Sequence, residues 1–149
     1  MTDTQLTIDE TARLREAFAR VSFATLLGIR IHSLERGAAT MLFDVRPELT
    51  RMEGILHGGA LASLIDTAAA FAVLSLLAPD EQTVTVDLTL HYLRPVTAGQ
   101  VAARARVVRA GRRLVNVAVE ATDSDHRLVA SAMLIYAKSA TAIRASNKN

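Results

Sequence analysis

The residue types able to do chemistry in this chain gather in one stretch. His57-Gly58-Gly59 opens a long run of small and apolar residues whose only acid is Asp66. Gly is a poor interior helix residue, so two at a helix start point to backbone that other residues cannot adopt, or to close approach by a ligand. The first N–H groups of a helix have no internal partners and lie at the positive end of its dipole. Exposed donors, a favourable dipole and no side chain in the way make a candidate oxyanion site. Asp66, in a helix otherwise free of charge, must be hydrogen-bonded, protonated, or turned toward a cavity or a partner chain. Two roles stand side by side for it: catalysis, or pinning a neighbouring strand through Thr85 or Thr89. Gly58 and Asp66 are eight residues apart, about 12 Å along a helix axis. A carbonyl held at the helix start is then out of reach of a water held by Asp66 of the same chain. If both act, the site lies between two chains packed antiparallel about a two-fold axis.

These residues need elements to position them, and 149 residues suffice for one domain. Half the chain is hydrophobic and only 4% aromatic, with no Trp, so the core is built from Ala, Val, Leu and Ile. Thr7-Ile-Asp-Glu10 fits a capping box, and Leu14, Phe18, Val21 and Leu26 recur near helical spacing, which predicts a helix from about Asp9 to Ala24. Ile29 to Leu34 and Ala39 to Val45 flank Glu35-Arg36-Gly37 as a hairpin. Gly58 to Leu77 reads as a helix buried around its whole circumference, stopped by Ala78-Pro79-Asp80. The period then changes to two: Val84, Val86, Leu88, Leu90 and Tyr92 alternate with Thr83, Thr85, Asp87, Thr89 and His91. Strands Val101 to Arg109, Leu114 to Thr122 and Leu128 to Ala137 follow with tight turns, as in an antiparallel meander. The pattern is α+β: a curved antiparallel β-sheet wrapped around one long central α-helix, with a short N-terminal helix. The expected division is 1–25 as an N-terminal helical segment, 26–139 as the main domain and 140–149 as a polar tail.

Several classes drop out. Without Cys there is no disulfide framework, thiolate cluster or Cys nucleophile. A formal charge of +2 argues against a general nucleic-acid coat. The four His, at 32, 57, 91 and 126, are scattered, and no Walker or Rossmann loop is present, so neither metal nor cofactor is expected. The opening MTDTQLTIDE lacks a basic and apolar leader, which predicts the cytoplasm. Gly54 to Ala78 is long enough to span a bilayer, but a central Asp would cost about 3 kcal/mol, and no membrane is expected.

The string Gly54-Ile-Leu-His-Gly-Gly-Ala-Leu-Ala-Ser-Leu-Ile-Asp66, followed by Thr83-Val-Thr-Val-Asp-Leu-Thr-Leu-His-Tyr-Leu-Arg-Pro95, resembles the hotdog-fold acyl-CoA thioesterases of the PaaI type. The likeness runs from about Leu26 to Ala137. It implies hydrolysis of a small, medium-chain or aryl acyl-CoA at an intersubunit site, in a homodimer as minimal unit and a homotetramer as expected assembly. By that resemblance Gly58 gives its N–H to the thioester carbonyl and Asp66 of the other subunit is general base or nucleophile. Thr85 supplies an assisting hydroxyl. His57 shapes the oxyanion end, or is simply a helix-terminal His bonded to backbone. Gly59 and Arg51 border the substrate, and CoA passes Arg94-Pro95 and Gly111-Arg112. The Arg104, Arg106, Arg109, Arg112 and Arg113 cluster otherwise reads as a solvated face. Leu61, Phe71 and Leu74 are candidate acyl-pocket residues. Many relatives carry Asn where this chain has Arg51, and Arg cannot accept the hydrogen bond that orients water. Arg51 could instead pair with Asp66 or substrate, with Glu53 turning inward. The alternative reading is a non-catalytic hotdog protein binding acyl-CoA or another small ligand.

Overall fold

Thr7 closes the first helix from both sides: its hydroxyl accepts from the Glu10 N–H (3.2 Å), and the Glu10 carboxylate accepts from the Thr7 N–H (2.8 Å). This computed structural model describes residues 4–139, so the tail expected over 140–149 lies outside the described residues. Helix α1 runs Ile8–Ala19 and α2 runs Ser22–Leu27, where one continuous helix was expected. The break falls at Val21, a β-branched residue of modest helix propensity, whose ψ of 87° leaves the helical region. The turn sends Ala24 and Leu27 into the core and swings Leu26, expected on the buried face, out to 68% exposure.

Six strands follow: β1 Arg30–Glu35, β2 Ala38–Asp44, β3 Gln82–Tyr92, β4 Gln100–Ala110, β5 Leu114–Thr122 and β6 Leu128–Ser139. They form one antiparallel sheet in the order β1-β2-β4-β5-β6-β3. The expected meander is β4-β5-β6, while β3 crosses to the far edge and pairs only with β6. Helix α3, Gly58–Leu74, lies on the inner face against β2, β3, β4 and β5. Ala68, Ala69 and Ala72 on the helix and Ala103 and Ala105 on β4 are all fully buried. Small side chains on both sides let helix and sheet approach closely, so the core fills without many aromatics.

Helix α3 ends three residues before the expected Leu77. The buried Ser75 hydroxyl donates to the Ala72 carbonyl (2.7 Å) and accepts from the Gly37 N–H (2.7 Å), and Leu76 and Leu77 close short i→i−3 bonds. Nor is the helix buried all round: Ala62, Ser63, Asp66, Thr67, Ala70 and Leu74 are only half-buried and Gly59 is exposed. One chain covers part of the circumference and leaves a stripe of small residues open. Among the described residues no helix is long and apolar enough to cross a membrane.

Strand β3 carries a further departure. Its pairing with β6 slips between Thr85, opposite Tyr136, and Asp87, opposite Ile135, leaving Val86 as an extra residue. Residues directly opposite share a face of the sheet. Tyr136 and Leu134 are buried toward the helix, so Thr85 and Leu88 both face inward. Strict alternation had put them on opposite faces.

Candidate active site

The site begins where α3 begins. Leu56 and His57 are held in extended backbone by the bonds Leu56 N–H to Val96 carbonyl (2.7 Å) and His57 N–H to Leu49 carbonyl (2.8 Å). His57 is the N-cap, its Nδ1 accepting from the Gly59 N–H at 2.8 Å. This is the helix-terminal arrangement weighed for it, and it engages the Gly59 N–H, so that of the Gly58–Gly59 pair only Gly58 keeps an open donor. Among the described residues the Gly58 N–H has no acceptor. The Gly58 carbonyl accepts from the Tyr92 hydroxyl (2.7 Å), and a Cβ on Gly58 would sit 3.1 Å from the Tyr92 ring. Glycine is therefore favoured by close approach rather than by an unusual backbone angle.

Around this N–H lies a cleft of about 340 Å³ bordered by Arg51, Leu61, Tyr92, Arg94 and Pro95. Neither Arg51 nor Arg94 has a carboxylate partner among the described residues. Two free guanidinium groups and a helix N-terminus make this mouth electropositive. Arg51 does not pair with Asp66 within the chain, and Glu53 is exposed, in the left-handed region at φ 66°. Gly111 and Arg112 lie elsewhere, at the β4–β5 turn closed by Gly111 N–H to Leu114 carbonyl (2.8 Å).

Asp66 lies two turns down α3 and opens into a different cleft, of about 420 Å³, with Val21, Phe23, Phe71, Leu74 and Gln82. Phe71 and Leu74 are thus here, whereas Leu61 belongs to the Gly58 cleft. Phe18 packs edge-on against Phe71, centroids 5.5 Å apart, fixing α1 to this wall. The Thr85 hydroxyl donates to Asp66 Oδ1 at 2.9 Å. Thr89 instead donates to Asp87 (3.3 Å), so Thr85 alone of the two strand candidates reaches the acid. A second donor, absent from the sequence-based candidates, is Tyr136, whose hydroxyl contacts both Asp66 Oδ1 and the Asp66 carbonyl, the latter at 2.7 Å. Burial and the adjacent Asp66 charge push the Tyr136 phenol far above its ordinary range. Tyr136 thus remains protonated and acts as a donor. Its only sequence signal was a polar-tipped ring in line with the aliphatic inward row Ala130, Ala132 and Leu134.

A sheet curled around a single helix is the hotdog fold, and the acid and the open N–H on that helix suit a hydrolase. Residues 53–130 match the thioesterase superfamily, and the chain belongs to that family of thioester hydrolases. A protein of Saccharolobus solfataricus named as an esterase is 33% identical over 122 residues, covering 82% of this chain and 81% of that one. The medium/long-chain acyl-CoA thioesterase YigI of Salmonella typhimurium is 28% identical, covering 76% and 83%. Among solved structures, the Escherichia coli PaaI protein of the phenylacetic acid degradation operon superposes with a TM-score of 0.84 at 26% identity, covering 91% and 96%.

Proposed function

We propose that this protein is a cytoplasmic acyl-CoA thioesterase whose site is shared by two copies of the chain. The observation that carries this reading is that Gly58 and Asp66 border separate clefts in one chain, so a partner must bring them together. Two features support self-association. Strand β3 is an eleven-residue edge with Val84, Val86 and Tyr92 at least half-exposed, a surface that soluble proteins normally cover. The half-open stripe of α3 is bare beside it. An antiparallel, two-fold pairing there sets Gly58 of one chain toward Asp66 of the other, and two such dimers give the expected tetramer.

In this reading the Gly58 N–H and the dipole of α3 receive the thioester oxygen as it gains negative charge. Asp66 of the partner subunit takes a proton from water as that water attacks the carbonyl carbon, or attacks the carbon itself as a nucleophile. On the water route the tetrahedral intermediate collapses, the C–S bond breaks, and the CoA thiolate takes up the proton held by Asp66, leaving free thiol and carboxylic acid. On the nucleophile route C–S cleavage expels CoA, whose thiolate takes a proton from solvent, and leaves an acyl-Asp66 anhydride that water then hydrolyses to the acid and the free carboxylate. The electropositive cleft of Arg51 and Arg94 takes the phosphate-bearing arm of CoA, and the apolar cleft of Phe23, Phe71 and Leu74 takes a small, medium-chain or aryl acyl group. Arg51, standing where relatives place a water-orienting Asn, favours a second reading: binding of acyl-CoA without turnover.

Thiol release from a panel of acyl-CoAs decides between them. Turnover that falls about 10³-fold or more in Asp66→Asn, with binding retained, supports hydrolysis. Binding without turnover in the unmodified protein supports the second reading, and absence of both removes both readings.

A further inference from the structure

The proposed chemistry uses Asp66 but leaves unexplained why its neighbourhood is so one-sided. Asp66 Oδ1 faces two hydroxyls, Thr85 from β3 and Tyr136 from β6. Among the described residues Asp66 Oδ2 has no hydrogen-bond partner. The chain contains only two tyrosines, and this one is 1% exposed, with its hydroxyl also at the Asp66 backbone carbonyl. A carboxylate on an open helix face can rotate about its last bond and present either oxygen. Two hydroxyls converging on one oxygen oppose that rotation, because a charged acceptor draws hydrogen bonds more strongly than a neutral one.

We propose that Tyr136 is a positioning residue that, with Thr85, locks Asp66 through Oδ1 so that only Oδ2 is offered to the reacting water or carbonyl. The inference rests on the reading of Asp66 as the reacting carboxylate. Tyr136 is buried and borders neither the Gly58 cleft nor the Asp66 cleft, and its phenol, held protonated by burial and by the Asp66 charge, donates throughout the neutral range. The bulge at Val86 is part of the same device, since it brings Thr85 to the face on which Tyr136 stands. If Tyr136 served only to fill the core, Phe would replace it at little kinetic cost.

The test compares Tyr136→Phe, Thr85→Val and Thr85→Ser with the unmodified enzyme and with Asp66→Asn. Tyr136→Phe is expected to lower kcat about 10- to 100-fold, with KM within about twofold and the melting transition still cooperative. Thr85→Val is expected to lower kcat in the same way and Thr85→Ser to restore it. If Tyr136→Phe turns over at the unmodified rate while Asp66→Asn is inactive, the positioning role is overturned and the thioesterase reading stands. If the unmodified enzyme turns over no acyl-CoA, the thioesterase reading fails and takes this role with it. Should Tyr136→Phe fail to fold, the Thr85 pair decides: a kcat-specific loss rescued by Ser supports the lock, and unchanged kcat in Thr85→Val overturns it.

Discussion

The two ends of the first half of α3 are built in opposite ways. At Gly58 the helix offers a bare backbone donor, with Tyr92 seated against the glycine and bonded to its carbonyl. At Asp66 it offers a side chain that two hydroxyls hold from the sheet side. Each end uses one of the chain's two tyrosines, yet Tyr92 is 55% exposed and Tyr136 is 1% exposed. A backbone N–H is already fixed by its helix and needs only an uncluttered approach. A carboxylate has rotational freedom and must be restrained by neighbours, which requires burial.

Short of removing the acid itself, crowding the open end should have the largest effect. Gly58→Ala places a methyl 3.1 Å from the Tyr92 ring, and kcat/KM is expected to fall about 10²-fold, as for loss of an oxyanion donor. Adding Tyr92→Leu should recover part of that loss, and a double-mutant cycle measures how much is crowding. The wall of the Asp66 cleft comes next. Phe23 is 55% exposed at its rim, so Phe23→Ala should leave the melting temperature nearly unchanged and shift the ratio of kcat/KM between acyl-CoAs differing by a few methylenes by about tenfold. The smallest effect lies farthest from both ends. The Thr7 N–H and the Arg36 guanidinium hold the Glu10 carboxyl below its ordinary range. A depressed carboxyl contributes stability that is present at neutral pH and lost as the pH falls through its folded value. Glu10→Gln should therefore lower the melting temperature slightly at neutral pH and converge with the unmodified protein in acid.

Gly58 and Asp66 were legible because helix periodicity exposes a lone acid and a misplaced glycine pair, and the resemblance reinforced both. Thr85 was named for its hydroxyl, yet the alternating pattern of β3 put it on the face away from Leu88. The slip at Val86 depends on how β6 pairs with β3, and a binary pattern within one strand carries no record of its partner. Tyr136 was hidden for a related reason. Its strand reads as plain core, and only the sheet order, with β3 crossing to lie beside β6, sets its hydroxyl near Asp66. The break at Val21 was equally unreadable, because Leu14, Phe18 and Val21 keep helical spacing up to the point where the axis turns.

The single extra residue in β3 makes this strand tolerant of exchange but not of changed length. Val86 stands outside the pairing register, and its exposed side chain belongs to the edge proposed to meet a second copy, so other apolar side chains of similar size fit at that position. Deleting it would return the strand to even alternation and turn Thr85 away from the acid with every residue type still in place. Across descendants of this sequence, exchanges among apolar residues at position 86 should be common, while insertions and deletions between Thr85 and Asp87 should be purged.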